Sequence, residues 1–189
     1  WALYTDSPLR AFEGELGVQA PVGFWDPAGF TKLGSIEDFK RRRATELKHG
    51  RVSMIAALGY ITPEFFKFSG DLAPSLGLKF TDVPNGLAAL SVVPKAGWAQ
   101  MFVFVAFLET SYLKQDDARA PGDFANAGSL GVPNGELAMQ DGEVRRRKLN
   151  AELANGRLAM MAIIGMFFQD GLTGSPWGDW SLYTASPLR

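Results

Sequence analysis

The sequence predicts an all-α fold with three long helices, at about residues 44–62, 96–114 and 143–170, in one domain of residues 1–189. Each of the three segments is apolar over a helical length and lacks the alternation of a strand. The long segments between them are rich in Pro and Gly, which favours loops. An internal repeat supports the prediction: Glu46–Gly59 recurs 106 residues later as Glu152–Gly165, with seven of fourteen positions identical.

Composition excludes several classes of function. The net charge of −1 gives no indication of nucleic-acid binding. The absence of Cys excludes disulfides, iron–sulfur clusters and thiolate zinc sites. The single His, His49, excludes a Ser-His-Asp triad and any multi-His metal centre that carboxylates do not complete. Trp1 rather than Met begins the chain, so we expect any targeting segment to have been removed.

The first 43 residues read as a turn-rich lead-in. Turn signals fall at Asp26–Gly29. Ser35 is a candidate N-cap for a short helical start, with Asp38 at the third position after it. A basic cluster, Lys40–Arg43, then precedes the first long helix.

The first long helix is predicted from Ala44 and is expected to end at Pro63. Its uncharged part, Val52–Thr62, spans eleven residues, which by hydropathy suits a buried core helix better than a membrane span. Counting from Ala44 gives nineteen residues, which is long enough to span a membrane only if the charges near its start are compensated. Residues 63–95 are predicted to be loop.

The second helix carries Gln100 within its apolar run and Glu109 near its end. Residues 115–142 are predicted to be loop, and Gly171 is the expected C-cap of the third helix. A second basic cluster, Arg145–Lys148, precedes that helix. In a protein with three membrane spans, the first and third helices begin on the same side, so both basic clusters agree with the charge bias that orients membrane proteins.

The repeated motif places a Glu, then His or Asn three residues on, then Arg two further. The members are Glu46, His49 and Arg51 in the first copy and Glu152, Asn155 and Arg157 in the second. The Glu and the His or Asn share a helix face. The Arg lies roughly 140° around the helix from its own Glu, so an ion pair within one helix is awkward. We therefore predict reciprocal pairs, Glu46 with Arg157 and Glu152 with Arg51, where the two helices cross.

A stripe of small residues in each copy also predicts close approach of two helices. The stripes are Gly50, Ser53, Ala56 and Gly59, and Gly156, Ala159, Ala162 and Gly165. Such spacing lets two backbones meet in lipid. Ordinary helix packing in a soluble protein is the alternative for either copy alone.

The potential metal ligands in the motif are single and dispersed along the helices. A di-iron bundle needs two Glu-x-x-His motifs and two further Glu, whereas the second copy here has Asn155. Pairing with Arg is expected to leave one oxygen of each Glu available. Single ligands of this kind suit a metal that brings most of its own coordination shell, such as a magnesium tetrapyrrole.

The two motif helices resemble those of the chlorophyll-binding light-harvesting family. The runs Phe39–Arg51 and Tyr60–Glu64 are similar to the fucoxanthin and peridinin antenna proteins of its chlorophyll a/c branch. The segments Trp1–Arg10 and Trp180–Arg189 match at eight of ten positions. These matching ends lead us to expect one unit of a head-to-tail precursor, as in dinoflagellate peridinin antennae; two similar surface segments are the alternative.

The resemblance implies an all-α membrane protein with three transmembrane helices, the first and third crossed and related by a pseudo-two-fold axis. The axial chlorophyll ligands it implies are Glu46, His49, Glu152, Asn155 and Gln169, with Gln100 and Glu109 as weaker candidates. Glu109 has an alternative interpretation as an interfacial residue at a helix end. Arg51 and Arg157 would close the inter-helix ion pairs.

Some features depart from the family pattern or are less specific. No His follows His49, so the C-terminal His ligand of green-lineage members is absent or replaced. The loops Gly23–Phe30 and Asn126–Gly135 resemble segments that hold carotenoid ends, with plain turns as the alternative.

The implied function is a non-catalytic antenna in the plastid thylakoid membrane that crosses it several times. Its expected cofactors are chlorophyll a, chlorophyll c and carotenoids of the peridinin or fucoxanthin type and the diadinoxanthin type. Its expected partners are a photosystem I or II core, neighbouring antenna subunits and membrane lipid. A photoprotective, energy-dissipating member of the family is one alternative. A soluble helical metal-binding enzyme is another, disfavoured by the single His and the lack of a convergent acid–base set.

Overall fold

The structure, a computed structural model, describes residues 14–32, 34–115, 120–124 and 141–176. The expected carotenoid loop Asn126–Gly135 and the matching ends Trp1–Arg10 and Trp180–Arg189 lie outside these residues.

The described part of the chain is mostly helical. Its helices are α1 (Ile36–Phe65), α2 (Ala89–Val92), α3 (Lys95–Ser111) and α4 (Gly142–Thr173). Its strands are β1 (Asp71–Ala73) and β2 (Leu78–Lys79), and short 3₁₀ turns lie at Pro74–Leu76, Phe80–Asp82 and Gly86–Ala88. The three long helices α1, α3 and α4 correspond to the three that the sequence predicts.

Helix α1 begins eight residues before the predicted start at Ala44. The Ser35 hydroxyl accepts a hydrogen bond from the Asp38 amide at 3.3 Å, which confirms Ser35 as the N-cap. The helix then continues without a break into the apolar run, so the short helical start and the long helix are one element. The basic cluster Lys40–Arg43 consequently lies within α1.

The end of α1 also differs from the prediction, because Pro63 lies inside the helix. The Phe66 amide donates to the Thr62 carbonyl at 2.8 Å, which closes the turn that contains Pro63. Proline lacks an amide donor, so it removes one hydrogen bond of the helix. That loss is tolerated here because Pro63 lies in the last turn of α1. The helix therefore extends to Phe65.

Residues 63–95, predicted to be loop, contain a small hairpin. Strands β1 and β2 pair antiparallel, with Asp71 opposite Lys79 and Ala73 opposite Leu78. The Lys67 ammonium donates to the Val83 carbonyl at 2.7 Å and so ties the end of α1 to the segment after the hairpin. Backbone and long-range side-chain bonds of this kind leave no periodic signal in the sequence.

Helix α4 matches its predicted range within three residues. Its first turn is capped by Asp141, whose carboxylate accepts from the Glu143 amide at 2.9 Å. The expected C-cap at Gly171 is wrong, because that residue is still helical. Gly174 ends the helix instead: it has a positive φ of 74°, and its amide donates to the Asp170 carbonyl at 2.7 Å.

One helix of the described residues, α4, is long and apolar enough to cross a membrane. The segments Gly86–Val92 and Lys95–Ser111 reach that standard only when taken together, and they are bent by 111° at the break between them. Helix α1 falls short because its first half is highly charged. Along α3, large apolar side chains are exposed in the bare chain, as at Phe102 (72%) and Val103 (71%), a surface that water does not favour.

The chain divides into two compact units, residues 1–51 with 109–157 and residues 52–108 with 158–189. The first unit contains the charged motifs of both repeat copies, and the second contains their apolar continuations.

Candidate functional site

The two repeat copies meet at a pair of glycines in the first unit. Gly50 and Gly156 are both buried, and a Cβ atom built on either one would lie 3.0 Å from the Cα atom of the other. The backbones of α1 and α4 are therefore in direct contact at this point, as small residues permit.

The far ends of the predicted small-residue stripes do not make such contacts. Cβ atoms built on Gly59 and Gly165 would have no described atom within 4 Å. The predicted close approach is therefore observed at Gly50 and Gly156 and not at these positions. The physical reason is that two helices inclined to each other can touch closely only near one point.

Beside the glycine contact, the structure places the four motif charges in reciprocal pairs. Arg157 Nε donates to Glu46 Oε1 at 2.8 Å, and Arg51 Nε donates to Glu152 Oε1 at 2.6 Å. In each pair the base lies on the opposite helix from the acid, which is the arrangement expected from the helical geometry of the motif.

Each motif arginine also fixes a loop. Arg157 Nη1 donates to the Gly17 carbonyl at 2.7 Å, and Arg51 Nη1 donates to the Gly122 carbonyl at 2.9 Å. The Gly122 amide in turn donates to the Gln115 side chain at 2.8 Å. The likeness between the two halves of the first unit thus extends from the helices into the loops.

The two glutamates nevertheless differ in their surroundings. Arg43 Nη1 donates to Glu46 Oε2 at 2.7 Å, while its Nη2 donates to the Leu16 carbonyl at 2.8 Å. Both oxygens of Glu46 are therefore hydrogen-bonded, and the expectation of an unengaged oxygen is wrong for this residue. Among the described residues, Glu152 accepts only through Oε1.

The side chains of His49 and Asn155 are oriented by equivalent hydrogen bonds. His49 Nδ1 lies 2.8 Å from the Thr45 carbonyl, and Asn155 Nδ2 donates to the Ala151 carbonyl at 2.8 Å. A carbonyl can only accept, so Nδ1 carries a proton, and in the neutral imidazole Nε2 then has the lone pair. Both side chains are exposed, and each presents one lone-pair atom, Nε2 or Oδ1, away from its own backbone.

Residues 12–171 match the protein family described as Chlorophyll A-B binding protein. The chain belongs to this family. It is 40% identical over 167 residues to fucoxanthin-chlorophyll a-c binding protein F of Macrocystis pyrifera, which covers 88% of this chain and 78% of that protein. It is 44% identical over 164 residues to fucoxanthin-chlorophyll a-c binding protein B of Phaeodactylum tricornutum, covering 86% and 80%.

The prediction of a chlorophyll a/c light-harvesting antenna protein is thereby confirmed. The family is membrane-bound, and its members bind pigments rather than act as enzymes. Its members named above are chloroplastic.

The motif residues of this light-harvesting protein fit the magnesium of a chlorophyll. His49 presents a neutral nitrogen and Asn155 an amide oxygen, each held by the bond to the preceding turn. Glu152 has one engaged oxygen, and each oxygen of Glu46 retains a second lone pair after its one hydrogen bond. Among the described residues no three His, Asp or Glu side chains are grouped to hold a metal ion, so each of these side chains would hold a metal singly.

The other predicted ligands of this light-harvesting protein lie on α3 and near the end of α4. Gln100 is exposed on α3, and Gln169 is half-buried near the end of α4, both in the second unit. Glu109 lies in the first unit, where its carboxylate forms an ion pair with Lys48 of α1.

Sequence reasoning missed two contacts in this protein. The Lys48–Glu109 pair joins residues 61 positions apart, and nothing local to either residue signals it. In the second unit, the buried Asp170 accepts hydrogen bonds from the Tyr60 hydroxyl and, at 2.6 Å, from the Leu87 amide. A carboxylate directly after Gln169 in an apolar helix was the available signal for this contact.

Proposed function

We propose that the chain is an antenna protein of the thylakoid membrane that holds chlorophyll a, chlorophyll c and carotenoids. When bound, these pigments absorb light and pass excitation energy on. The protein fixes their positions and surroundings. The observation that carries the proposal is the matched orientation of His49 and Asn155, whose bonds to Thr45 and Ala151 leave a single ligand atom exposed on each copy of the motif.

The proposed axial ligands to chlorophyll magnesium are those that the family motif names. They are Glu46, His49, Glu152, Asn155 and Gln169, with Gln100 and Glu109 in addition. The cross-pairs support a ligand role for Glu46 and Glu152, because a carboxylate removed from water needs a compensating charge. Arg157 and Arg51 supply that charge at 2.8 and 2.6 Å.

We further propose that α1, α3 and α4 each cross the membrane within a single domain of residues 1–189, with α1 and α4 related by a pseudo-two-fold axis. The reciprocal ion pairs and the mutual Gly50–Gly156 contact support this relation. The exposed apolar surface of α3 supports lipid or pigment as its neighbour. Compensation of its charges allows α1 to span a membrane despite its low hydropathy.

The carotenoids are proposed to be of the fucoxanthin or peridinin type, together with the diadinoxanthin type. Relatives named as fucoxanthin-chlorophyll a-c binding proteins support the first of these. The recipient of the excitation energy is proposed to be a photosystem I or II core, reached directly or through neighbouring antenna subunits.

An excitation spectrum of chlorophyll emission from the detergent-solubilised protein tests the function. We expect bands of chlorophyll c and of a carotenoid in addition to those of chlorophyll a, because all three transfer energy within one complex. A spectrum with chlorophyll a bands alone would contradict the proposal. The variants His49→Leu and Asn155→Leu should each lose a chlorophyll per chain, because leucine offers no lone pair.

The small interior of the bare chain leads to a second expectation. Among the described residues, the buried apolar side chains are Leu153, Ala159, Ile163 and Met166, all on α4. Pigments are therefore proposed to fill much of the space between the helices. We expect the pigment-free chain to lack a cooperative thermal transition in circular dichroism, and a sharp transition would contradict this.

A further inference from the structure

We propose that Lys48 is the positioning residue for a pigment ligand, Glu109, and that its charge is what allows this glutamate to bind chlorophyll magnesium. The inference rests on the proposed function. It concerns the ion pair between the Lys48 ammonium on α1 and Glu109 Oε2 near the end of α3.

Glu109 has no base within one turn on its own helix. Positions three and four residues away along the chain are Val105, Ala106, Tyr112 and Leu113, none of which is basic. An i,i+4 pair of the ordinary helical kind is therefore absent from the sequence. The compensating charge comes from Lys48, which lies 61 positions earlier.

The Lys48–Glu109 pair has the same arrangement as the pairs of the two motif glutamates. Glu46 and Glu152 are each paired with an arginine of another helix. Glu109 is likewise paired with a base of another helix. For each of these three carboxylates of the first unit, a second helix thus supplies the compensating positive charge.

One oxygen of Glu109, Oε1, lies outside the ion pair with Lys48. Lysine is a compact charge that contacts one atom, whereas arginine presents a planar fork that can engage both carboxylate oxygens. Lys48 contacts Oε2, and among the described residues no other hydrogen bond to Glu109 is present. Oε1 therefore keeps both its lone pairs for a metal while the net charge of the pair is zero.

The lysine of this pair occurs in one repeat copy only. The position equivalent to Lys48 in the second repeat copy is Ala154, which carries no charge. Among the described residues, Glu109 is therefore paired with α1 and not with the second repeat copy. This asymmetry distinguishes Lys48 from the motif arginines, which occur in both copies.

The test compares chlorophyll content and visible circular dichroism of four purified pigment–protein complexes: wild type, Lys48→Met, Glu109→Gln and the double variant. We expect Lys48→Met to lose a single chlorophyll, because its removal leaves an uncompensated carboxylate. Glu109→Gln should retain it, because a neutral carboxamide oxygen ligates without a counter-charge. The double variant should retain it as well.

Rescue in the double variant separates this role from a structural one. If Lys48 only packed α1 against its surroundings, Glu109→Gln would not restore the pigment, and that result would overturn the inference. Should Lys48→Met fail to assemble at all, assembly of the double variant supports the inference and its failure overturns it.

A matched control is Lys67→Met, which removes a lysine that donates to a backbone carbonyl rather than to a carboxylate. It should leave the chlorophyll count unchanged. A wild-type protein that binds no chlorophyll would refute the proposed function itself. A wild type that binds chlorophyll, with a full complement in Lys48→Met, would refute only the role of Lys48.

Discussion

The two copies of the repeated motif share a backbone contact but not a charge environment. In both, a glycine meets its counterpart and an arginine reaches the glutamate of the other helix. Glu46, however, lies between two guanidinium groups, those of Arg157 and Arg43, whereas Glu152 is paired with Arg51. The position equivalent to Arg43 in the second copy is Leu149.

The repeat therefore fixes the position of each glutamate, while residues outside the repeat determine how many basic groups its carboxylate contacts. A carboxylate that accepts hydrogen bonds from two guanidinium groups is a weaker base toward a metal than one that accepts from a single group. We therefore expect the sites at Glu46 and Glu152 to differ in affinity and absorption even where the same chlorophyll occupies both.

The largest effect is expected from removal of one arginine of a cross-pair. Arg51→Met leaves Glu152 without its compensating charge. Breaking a buried ion pair costs about 3–5 kcal/mol, and because this pair is half-buried we expect a loss toward the lower end of that range. The midpoint of thermal loss of the visible circular dichroism should therefore fall sharply. Arg146→Met, which removes an exposed arginine from the start of α4, should change it little.

A double variant distinguishes the charge from packing. Arg51→Met with Glu152→Gln removes the uncompensated carboxylate and should recover most of the lost stability. Equal midpoints for Arg51→Met and Arg146→Met would show that the cross-pair does not stabilise the complex.

A smaller effect is expected at Arg43, which is present in one copy only. Arg43→Met removes a hydrogen bond to a charged group, worth about 1.5–3 kcal/mol, but Arg157 still compensates Glu46. The complex should therefore assemble, with a lower thermal midpoint and a changed absorption band from one chlorophyll. Its matched variant, Leu149→Met, should leave the absorption spectrum unchanged.

That asymmetry also marks the limit of what could be predicted from the sequence. The cross-pairs could be predicted from two local features of the sequence. Glu and Arg lie roughly 140° apart around one helix, and both residues recur in the second copy of the motif. The contacts of Arg43 with Leu16 and of Lys48 with Glu109 could not, because these partners lie 27 and 61 positions away and no repeat marks them. Contacts of this kind depend on tertiary position, which spacing along one helix does not encode.

Helix boundaries were predictable only where a side chain carried the signal. Ser35 has a hydroxyl that caps, and it was identified as a cap from the sequence. The last turn of α4 depends on backbone conformation, and two glycines, Gly171 and Gly174, were both able to provide it. Only the structure shows that Gly174 has the positive φ.

Glycine substitutions test the contact that both copies share. Gly50→Ala and Gly156→Ala each place a methyl group 3.0 Å from the opposite Cα atom, and overpacking of this kind costs about 1–3 kcal/mol. Gly59→Ala and Gly165→Ala meet open space and gain helix propensity of up to about 1 kcal/mol. Thermal midpoints should therefore fall for the first pair and hold or rise for the second. A fall of similar size in all four would show that Gly50 and Gly156 do not mark a special contact.

The smallest effect is expected in the loop before the first copy, where Asp26 confirms the predicted turn at Asp26–Gly29. Its carboxylate accepts hydrogen bonds from the Phe30 amide at 3.0 Å and from the Thr31 amide and hydroxyl at 2.8 and 2.5 Å. Slight burial would raise the pKa of this carboxyl, but the hydrogen bonds from Thr31 and the backbone outweigh it and lower the pKa below its ordinary value of 3.8.

A lowered pKa in the folded state means that the ionised form holds the loop. This contribution is fully present above the ordinary pKa and is lost as the pH falls through the lowered one. Exchange of the Phe30 and Thr31 amide protons, corrected for its intrinsic pH dependence, should therefore be slow near neutral pH and accelerate below about pH 4. Asp26→Asn should remove this dependence, because an amide does not titrate in that range. Glu46 and Glu152 lie outside this loop, so the absorption bands of chlorophylls held there should stay unchanged in Asp26→Asn. A shift of the band assigned to Glu46 alone would connect the loop to the asymmetry between the two copies.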